Sequence, residues 1–135
     1  MVERVLVVDA ANVVGSRPDG WWRDRPGAAR RLHERLRHAE LGYDLVVLVL
    51  EGRARAGVAE GSAADPRGRA WLTTVHATAS GDDELAERCR ILAGPDADVT
   101  LVTADRGLAA RVAGLGVTVL GPSALLALLP ADPAP

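Results

Sequence analysis

The sequence predicts an α/β fold in which a mostly parallel sheet lies between two layers of helices. Short runs of Val and Leu recur along the chain, and stretches with helical spacing separate them. Runs that are apolar at nearly every position are typical of strands buried on both faces, which crossover helices join in parallel. The 48% of apolar residues are mainly Ala, Val and Leu, with no Phe, which suits closely packed layers.

Five of these apolar runs are predicted as strands because they are rich in β-branched residues and end at polar or turn residues. The predicted strands are Arg4–Asp9, Leu45–Leu50, Ala70–Ala77, Val99–Thr103 and Val117–Leu120. Right-handed crossovers between parallel strands place the C-terminal ends of all of them at one edge of the sheet.

Four helices are predicted around these strands. The first begins at Pro26, after Asp24 or Arg25, and ends at Gly42, because Pro favours the first turn and Gly the C-terminal end. Ser80 is the expected N-cap of the second helix. The remaining helices are predicted at Asp82–Ala93, Arg106–Ala113 and Pro122–Leu129.

The length of 135 residues fits one domain, which we place at residues 1–129. The stretch Gly52–Gly68 shows no amphipathic period and is expected to be a mobile loop or a short helix. Residues 130–135 are rich in Pro and are expected to form a flexible tail.

The single cysteine, Cys89, excludes an internal disulfide and a Cys-based zinc site, and it favours a reducing, cytoplasmic location. The N-terminus shows no signal-peptide pattern, and no apolar stretch approaches the ~18 residues that would span a bilayer. We therefore expect a cytoplasmic protein without a membrane partner. The sequence leaves open whether the protein is a monomer or a homodimer.

The charge is distributed unevenly along the chain. All sixteen basic residues are Arg, so any mechanism that needs a catalytic Lys is excluded. Residues 17–37 contain seven Arg and three acids, whereas residues 82–105 contain seven acids and two Arg. A basic flank beside an acidic pocket suits a metal-dependent enzyme that acts on a polyanion.

Acidic or amide residues occur where apolar runs give way to loops or helix starts: Asp9 with Asn12, the run Asp82-Asp83-Glu84, and Asp105. Asp9 and Asp105 follow predicted strands and therefore belong to the edge at which open α/β sheets bind ligands. Carboxylates gathered there without Lys repel one another, and a hard divalent cation relieves the repulsion. A divalent-metal site is the leading hypothesis, with Glu51 as a peripheral member.

Each of these residues also has a purely structural interpretation. Asp9 and Asp105 can cap the helices or turns that follow, and Asn12 can be a turn residue. Acids in a first helical turn complement the partial positive charge there, although three in a row exceed what capping needs. Successive residues lie about 100° apart around a helix, so only one or two of the three acids can face a site.

Two adjacent tryptophans, Trp21 and Trp22, lie in an Arg-rich loop before the first predicted helix. We expect one of them to be a structural anchor and the other to stack on a nucleobase, an interaction of about 1 to 3 kcal/mol per base. Arginines around this loop would contact phosphate. The expected rim consists of Arg23, Arg25, Arg53, Arg55, Arg67 and Arg69.

Three segments in order resemble the PIN-like nucleases, most closely the NYN branch that includes YacP-type ribonucleases. They are Val-Val-Asp-Ala-Ala-Asn-Val-Val-Gly, Gly-Asp-Asp-Glu-Leu and Val-Thr-Ala-Asp-Arg-Gly-Leu, and together they span nearly the whole chain. The resemblance implies one PIN-like domain, a three-layer sandwich with a five-stranded sheet of order 3-2-1-4-5. It also implies that a few acids hold Mg²⁺ or Mn²⁺ for hydrolysis of RNA.

The resemblance also assigns roles to individual residues. Asp9 would be the first metal-binding acid with Asn12 as its partner, the helix would supply Asp82, Asp83 or Glu84, and Asp105 would follow the fourth strand. The implied catalytic residues are Asp9, Asn12, Asp82, Asp83, Glu84 and Asp105. The implied metal ligands are Asp9, Asp82, Asp83 and Asp105.

Two positions depart from the family pattern: Ala10 stands where Gly is frequent, and Glu51 where Asp is usual, so substrate contacts are expected to differ. The expected function is that of a metal-dependent endoribonuclease with RNA as partner, and association with the ribosome is left open. One alternative is a non-catalytic RNA- or protein-binding module. Another, a nucleotide phosphohydrolase, ranks lower because no Lys or Gly-rich loop could cradle a triphosphate.

Overall fold

A six-stranded mixed sheet forms the centre of the computed structural model, which describes residues 2–68 and 70–131. The strands are β1 (Glu3–Asp9), β2 (Leu45–Leu50), β3 (Gly61–Ala64), β4 (Trp71–His76), β5 (Ala97–Val102) and β6 (Thr118–Leu120). Their order is β3-β4-β2-β1-β5-β6. The five parallel strands follow the expected order, and β3 pairs antiparallel with β4 at one edge.

Helices cover both faces of this sheet. They are α1 (Ala10–Gly15), α2 (Arg25–His38), α3 (Gly81–Leu92), α4 (Arg106–Val112) and α5 (Pro122–Leu128). Short 3₁₀ turns occur at Trp21–Arg23, Gly52–Gly57 and Ala113–Leu115. Buried residues of α1, α2 and α5 pack in one cluster, and those of α3 and α4 pack in another.

The central strand β1 divides the core between these two helical layers. Its side chains alternate between the two faces of the sheet. Leu6 and Val8 therefore join the cluster with α1, α2 and α5, and Val5 and Val7 join the cluster with α3 and α4. All four residues are completely buried, which explains their unbroken apolar sequence. The strand ends at Asp9, which is thereby fixed at the C-terminal edge of the sheet.

The prediction of a five-stranded sheet is wrong in strand number. The stretch Gly52–Gly68, expected to be a mobile loop or a short helix, contains a 3₁₀ turn and strand β3. Residues from Gly61 to Ala64 pair with β4, and the hydroxyls of Ser62 and Thr73 lie 2.8 Å apart. Because this edge strand consists of small residues held by backbone pairing, it leaves no hydrophobic period in the sequence.

A short helix was also missed. None of the four predicted helices includes the residues directly after Asp9, but these residues form α1, and the Asp9 side chain caps it by accepting a hydrogen bond from the Asn12 amide. Six residues are too few for a helical period to be distinguished from a turn.

The predicted bounds of the longer helices agree with the structure better at their starts than at their ends. Asp24 caps α2 by accepting from the Gly27 amide at 2.9 Å, and Ser80 caps α3. However, α2 ends at His38 rather than at Gly42, because Ala39 already adopts an extended conformation. Gly42 instead provides the positive φ of 77° in the connection to β2.

Some predictions fall outside the described residues. These include the prediction for Arg69 and, within the predicted tail, residues 132–135. Within the described part of the chain, no helix combines the length and apolar character needed to cross a membrane.

Candidate active site

The C-terminal ends of three neighbouring strands bring distant acidic residues to one edge of the sheet. β1 lies between β2 and β5, and all three are parallel. Asp9 therefore closes β1, Glu51 follows β2, and Asp105 follows β5 by three residues. Asp82 joins them from the first turn of α3. We call Asp9, Glu51, Asp82 and Asp105 the acid cluster.

Asp9 is the buried member of the acid cluster, with 6% of its surface exposed. Its Oδ1 accepts a hydrogen bond from the Asn12 amide at 3.2 Å, and its Oδ2 accepts one from the Thr103 hydroxyl at 2.9 Å. Burial raises the pKa of Asp9 above its ordinary value, and the charges of Asp82 and Glu51 act in the same direction. The two hydrogen bonds oppose this rise and hold the carboxylate in one orientation.

Thr103 and Asn12 connect Asp9 to the loop that carries Asp105. The Thr103 hydroxyl, which donates to Asp9, also accepts from the Asp105 amide at 3.1 Å. The Asn12 side-chain oxygen accepts from the Ala104 amide at 2.8 Å. These bonds join α1 to the end of β5, so the positions of Asp9 and Asp105 depend on each other.

Thr103 was missed as a site residue. In the sequence it continues an apolar run and resembles an ordinary β-branched strand residue. The available signal was its position two residues before Asp105, since a buried hydroxyl must find a hydrogen-bond partner.

Asp105 has the structural role that was considered as an alternative. Its Oδ1 accepts from the Leu108 amide at 3.0 Å and caps α4. Asp9 likewise caps α1. Capping employs one oxygen of each carboxylate, and the second oxygen, which in Asp9 also accepts from Thr103, has a further lone pair for a ligand.

Among the three acids of the run, Asp82 is the one that interacts electrostatically with the other carboxylates of the acid cluster. Partial burial raises the pKa of Asp82, and the charges of Asp105 and Glu51 raise it further, whereas Arg111 lowers it. Glu51 anchors this part of α3, because its Oε2 accepts from the Gly81 amide at 2.7 Å. The acid cluster is therefore tied together through backbone contacts as well as through charge.

The other two acids of the run have basic partners elsewhere. Asp83 forms an ion pair with Arg111 across α3 and α4, with 2.9 Å between Oδ1 and Nη1. Glu84 pairs with Arg88 one turn along α3, at 3.0 Å. The rotation of about 100° per residue thus separates the three acids, as expected from their adjacency.

The acid cluster fits a hard divalent cation by its chemistry, because all of its donors are carboxylate oxygens. Within residues 2–68 and 70–131, however, no group of three or more Asp, Glu, His or Cys side chains is already arranged to hold a metal ion. Binding of an ion by the acid cluster would therefore require side chains to rotate toward a common point.

His76 and Cys89 occupy structural positions. The Nε2 of His76 lies 2.7 Å from the Val58 carbonyl oxygen, which fixes this ring against the segment before β3. Cys89 is a buried residue of α3, and burial raises its pKa to about 11.

The two tryptophans differ in exposure. Trp21 is half-buried, whereas 51% of Trp22 is exposed. Their rings meet edge to face with centroids 6.0 Å apart. The guanidinium of Arg25 lies 5.2 Å from the Trp21 ring centre, and that of Arg23 lies 5.9 Å from the Trp22 ring centre.

Trp21 and Arg25 line a cavity of about 250 Å³ that reaches the acid cluster at Glu51. The other lining residues are small and apolar: Ala10, Ala11, Val14, Ala29 and Ala54. The aromatic loop and the acids are therefore parts of one continuous surface.

A second cavity, of about 280 Å³, lies at the opposite edge of the sheet and contains none of the predicted site acids. Arg67 lines this second cavity and bonds to the Ala39 carbonyl and to Asp65. Arg67, which was predicted to belong to the rim, therefore lies in a different cavity from Trp21 and Arg25. Arg55 donates to the carbonyls of Gly52 and Ala77 and so holds the 3₁₀ turn in place.

Comparisons with known proteins give a similarity of fold. No protein-family model matches the sequence, and no curated protein matches it. Among solved structures, a point mutant of Rae1 (YacP) from Bacillus subtilis superposes with a TM-score of 0.60 at 15% identity. The superposition covers 92% of this chain and 73% of Rae1. The chain therefore has a YacP-like fold.

Proposed function

We propose that this protein is a metal-dependent endoribonuclease that hydrolyses RNA phosphodiester bonds at the acid cluster. The observation that carries the proposal is the convergence of four carboxylates from separate parts of the chain, two of which, Asp9 and Asp82, have raised pKa values. Concentrated negative charge destabilises a fold and is characteristic of functional sites. The resemblance of three sequence segments to the PIN-like nucleases supports the same function.

Asp9, Asp82 and Asp105 are the residues that would hold Mg²⁺ or Mn²⁺. Such an ion, when bound, supplies activation of water and neutralisation of charge on the phosphate. The protein supplies positioning: Thr103 orients the Asp9 carboxylate, and Asn12 fixes the loop before Asp105. Asp83, whose carboxylate pairs with Arg111, is left out of the proposed metal set.

The loop around the tryptophans would bind the RNA. Trp22 offers an exposed indole on which a base can stack, and single-stranded RNA is commonly bound in this way. Arg23, Arg25 and Arg53 are exposed and would attract phosphates. This basic side faces the acid cluster across the cavity that Glu51 borders.

The test is cleavage of a mixed RNA pool in Mn²⁺ or Mg²⁺ by the wild type, Asp9→Asn, Asp105→Asn and the control Asp83→Asn. Asn retains the capping acceptor, so the folds should persist. We expect loss of roughly a hundredfold or more in rate for Asp9→Asn and Asp105→Asn, as removal of a metal ligand implies. Asp83→Asn should cleave as the wild type does. Equal activity in all four proteins would refute the proposal.

A non-catalytic RNA-binding module is the second candidate. It is favoured by the finding that no three metal-ligating side chains within the described residues are already arranged around one point. Such a module would bind RNA through the tryptophan loop and would show neither Mn²⁺ binding nor cleavage.

A further inference from the structure

We propose that the cavity beside Trp21 is a nucleobase pocket that selects guanine in single-stranded RNA. We call it the base pocket. This inference rests on the proposed function in taking RNA as the ligand, and it adds the base that is recognised and its place relative to the acid cluster.

The shape of the base pocket suits a single flat ring. Ala10 and Ala29 are almost completely buried and form its floor, and the Trp21 indole forms a wall. Alanine side chains leave a cavity of about 250 Å³ where larger residues would fill it. Because the cavity is recessed between α1, α2 and the Gly52–Gly57 turn, a base must leave its stack to enter, as happens in single-stranded RNA.

Polar groups in the base pocket are few and have defined positions. The Glu51 carboxylate is held by the Gly81 amide, and each of its oxygens has two lone pairs, so it can accept further hydrogen bonds. The Arg25 guanidinium lies above the Trp21 ring, where it can contact the phosphate attached to a bound base. An apolar cavity with a small number of oriented polar groups is typical of a ligand site.

These groups favour guanine. An ionised carboxylate only accepts hydrogen bonds, and guanine presents two adjacent donors, its ring N–H and its amino group, to one carboxylate. Adenine and cytosine present one amino group beside an acceptor nitrogen. Uracil presents one N–H between two carbonyl oxygens, which a carboxylate repels. The expected order of affinity is therefore guanine first and uracil last.

The position of Glu51 links base recognition to the acid cluster. Glu51 accepts a hydrogen bond from the Gly81 amide, directly before Asp82, and it follows β2, which pairs with β1 up to Asp9. A guanine bound to Glu51 would place an adjoining phosphate beside the acids proposed to hold the metal ion. Cleavage next to guanine follows from this arrangement.

The test is fluorescence anisotropy in EDTA with labelled uridine heptamers that carry G, A, C or U at the centre. We expect the wild type to bind the G oligomer about tenfold more tightly than the all-U oligomer, the discrimination typical of a bidentate contact. Ala11→Leu places a larger side chain at the exposed mouth of the base pocket without disfavouring the helix. It should reduce G binding to the level of U.

Two further variants sharpen the test. Ala56→Leu is the steric control, because Ala56 is exposed on the Gly52–Gly57 turn and lies outside the cavity lining; it should bind as the wild type does. Glu51→Gln keeps an acceptor for the Gly81 amide but replaces one carboxylate oxygen by a donor. It should lose the preference for G and retain binding to U.

Equal affinity of the wild type for all four oligomers would overturn the inference, and so would a G preference that survives in Ala11→Leu or Glu51→Gln. Because EDTA prevents metal-dependent cleavage, this assay measures base binding independently of nuclease activity. The base pocket and the nuclease can therefore be refuted independently of each other. A G preference without Mn²⁺-dependent cleavage would refute the nuclease and leave the base pocket standing. Cleavage without a base preference would refute the base pocket and support the nuclease.

Discussion

Asp9 combines a structural role with the proposed metal-binding role in one carboxylate. It caps α1 and is fixed by Thr103, yet burial raises its pKa from 3.8. A folded-state pKa above the unfolded value means that the protonated form favours folding. This contribution to stability is fully present below the ordinary pKa of Asp and is lost as the pH rises through the raised value.

The variant Asp9→Asn should therefore be more stable than the wild type at neutral pH. The amide keeps an acceptor for the Asn12 amide and carries no charge against Asp82 and Glu51. We expect the melting temperature at pH 7 and low salt to rise by about 2 to 4 °C. Thermal melts between pH 3.5 and 8 should show this difference shrinking as the pH falls. A lower melting temperature than the wild type at pH 7 would contradict the origin assigned to the shifted pKa.

The sequence alone predicts the acidic and amide residues of the candidate site better than it predicts which side chains contact them. Asp9, Asn12 and Asp105 were recognisable because each follows the end of an apolar run. The choice among Asp82, Asp83 and Glu84 was not predictable, since the rotational phase of α3 depends on its packing. Arg111, which pairs with Asp83, comes from another helix and carries no marker in the sequence.

At the scale of the elements, the contact between Glu51 and Gly81 joins the first turn of α3 to the end of β2. A Cβ added at Gly81 would lie 2.4 Å from the Glu51 Oε2, which is too close for the present packing. Either the carboxylate or the first turn of α3 must move to accommodate an alanine. Because Asp82 directly follows Gly81, such a shift would also disturb the acid cluster.

We expect Gly81→Ala to lower the free energy of unfolding by about 1 kcal/mol, because the end of the flexible Glu51 side chain moves aside and its hydrogen bond to the residue 81 amide is lost. Its affinity for Mn²⁺ should fall as well. Gly94→Ala is the matched control, because a Cβ there meets no atom within 4 Å and its φ is not positive. Denaturant unfolding and Mn²⁺ titration provide the measurements. Identical results for the two variants would show that the contact with Glu51 does not position α3.

The tryptophan loop allows a second test at this scale. Trp22 is exposed, so Trp22→Ala should change the melting temperature by less than about 1 °C while weakening RNA binding. Trp21 is half-buried and lines the base pocket, so Trp21→Ala should reduce both stability and RNA binding. Melting curves and RNA affinity should be measured for each variant. Early melting of both variants, without a selective binding defect in Trp22→Ala, would show that the loop serves packing alone.

The helices and strands were predicted correctly where burial produces a hydrophobic pattern in the sequence. The strands predicted from Val- and Leu-rich runs are present because helices cover both faces of the sheet. The missed elements, β3 and α1, are four and six residues long. Strand β3 depends on backbone pairing with β4, and α1 depends on the Asp9 cap. Neither interaction produces a hydrophobic period in the sequence.

For the molecule as a whole, strand order is what assembles the site. Residues 9, 51, 82 and 105 are far apart in sequence, and the parallel arrangement around β1 brings them to one edge. The similarity to Rae1 (YacP), at 15% identity and a TM-score of 0.60, is a similarity of fold alone. Fold similarity at this level does not identify a chemistry, so the proposed function depends on the acid cluster itself.

The most direct measurement is a calorimetric titration of Mn²⁺ into the wild type, Asp82→Asn and Asp83→Asn. Each substitution removes one negative charge from neighbouring positions. Asp82, however, is repelled by the charges of Asp105 and Glu51, whereas Asp83 pairs with Arg111. We predict that the wild type binds Mn²⁺, that Asp82→Asn binds it about tenfold or more weakly, and that Asp83→Asn is unchanged. No heat of Mn²⁺ binding to the wild type, or equal losses in the two variants, would contradict a metal-binding acid cluster.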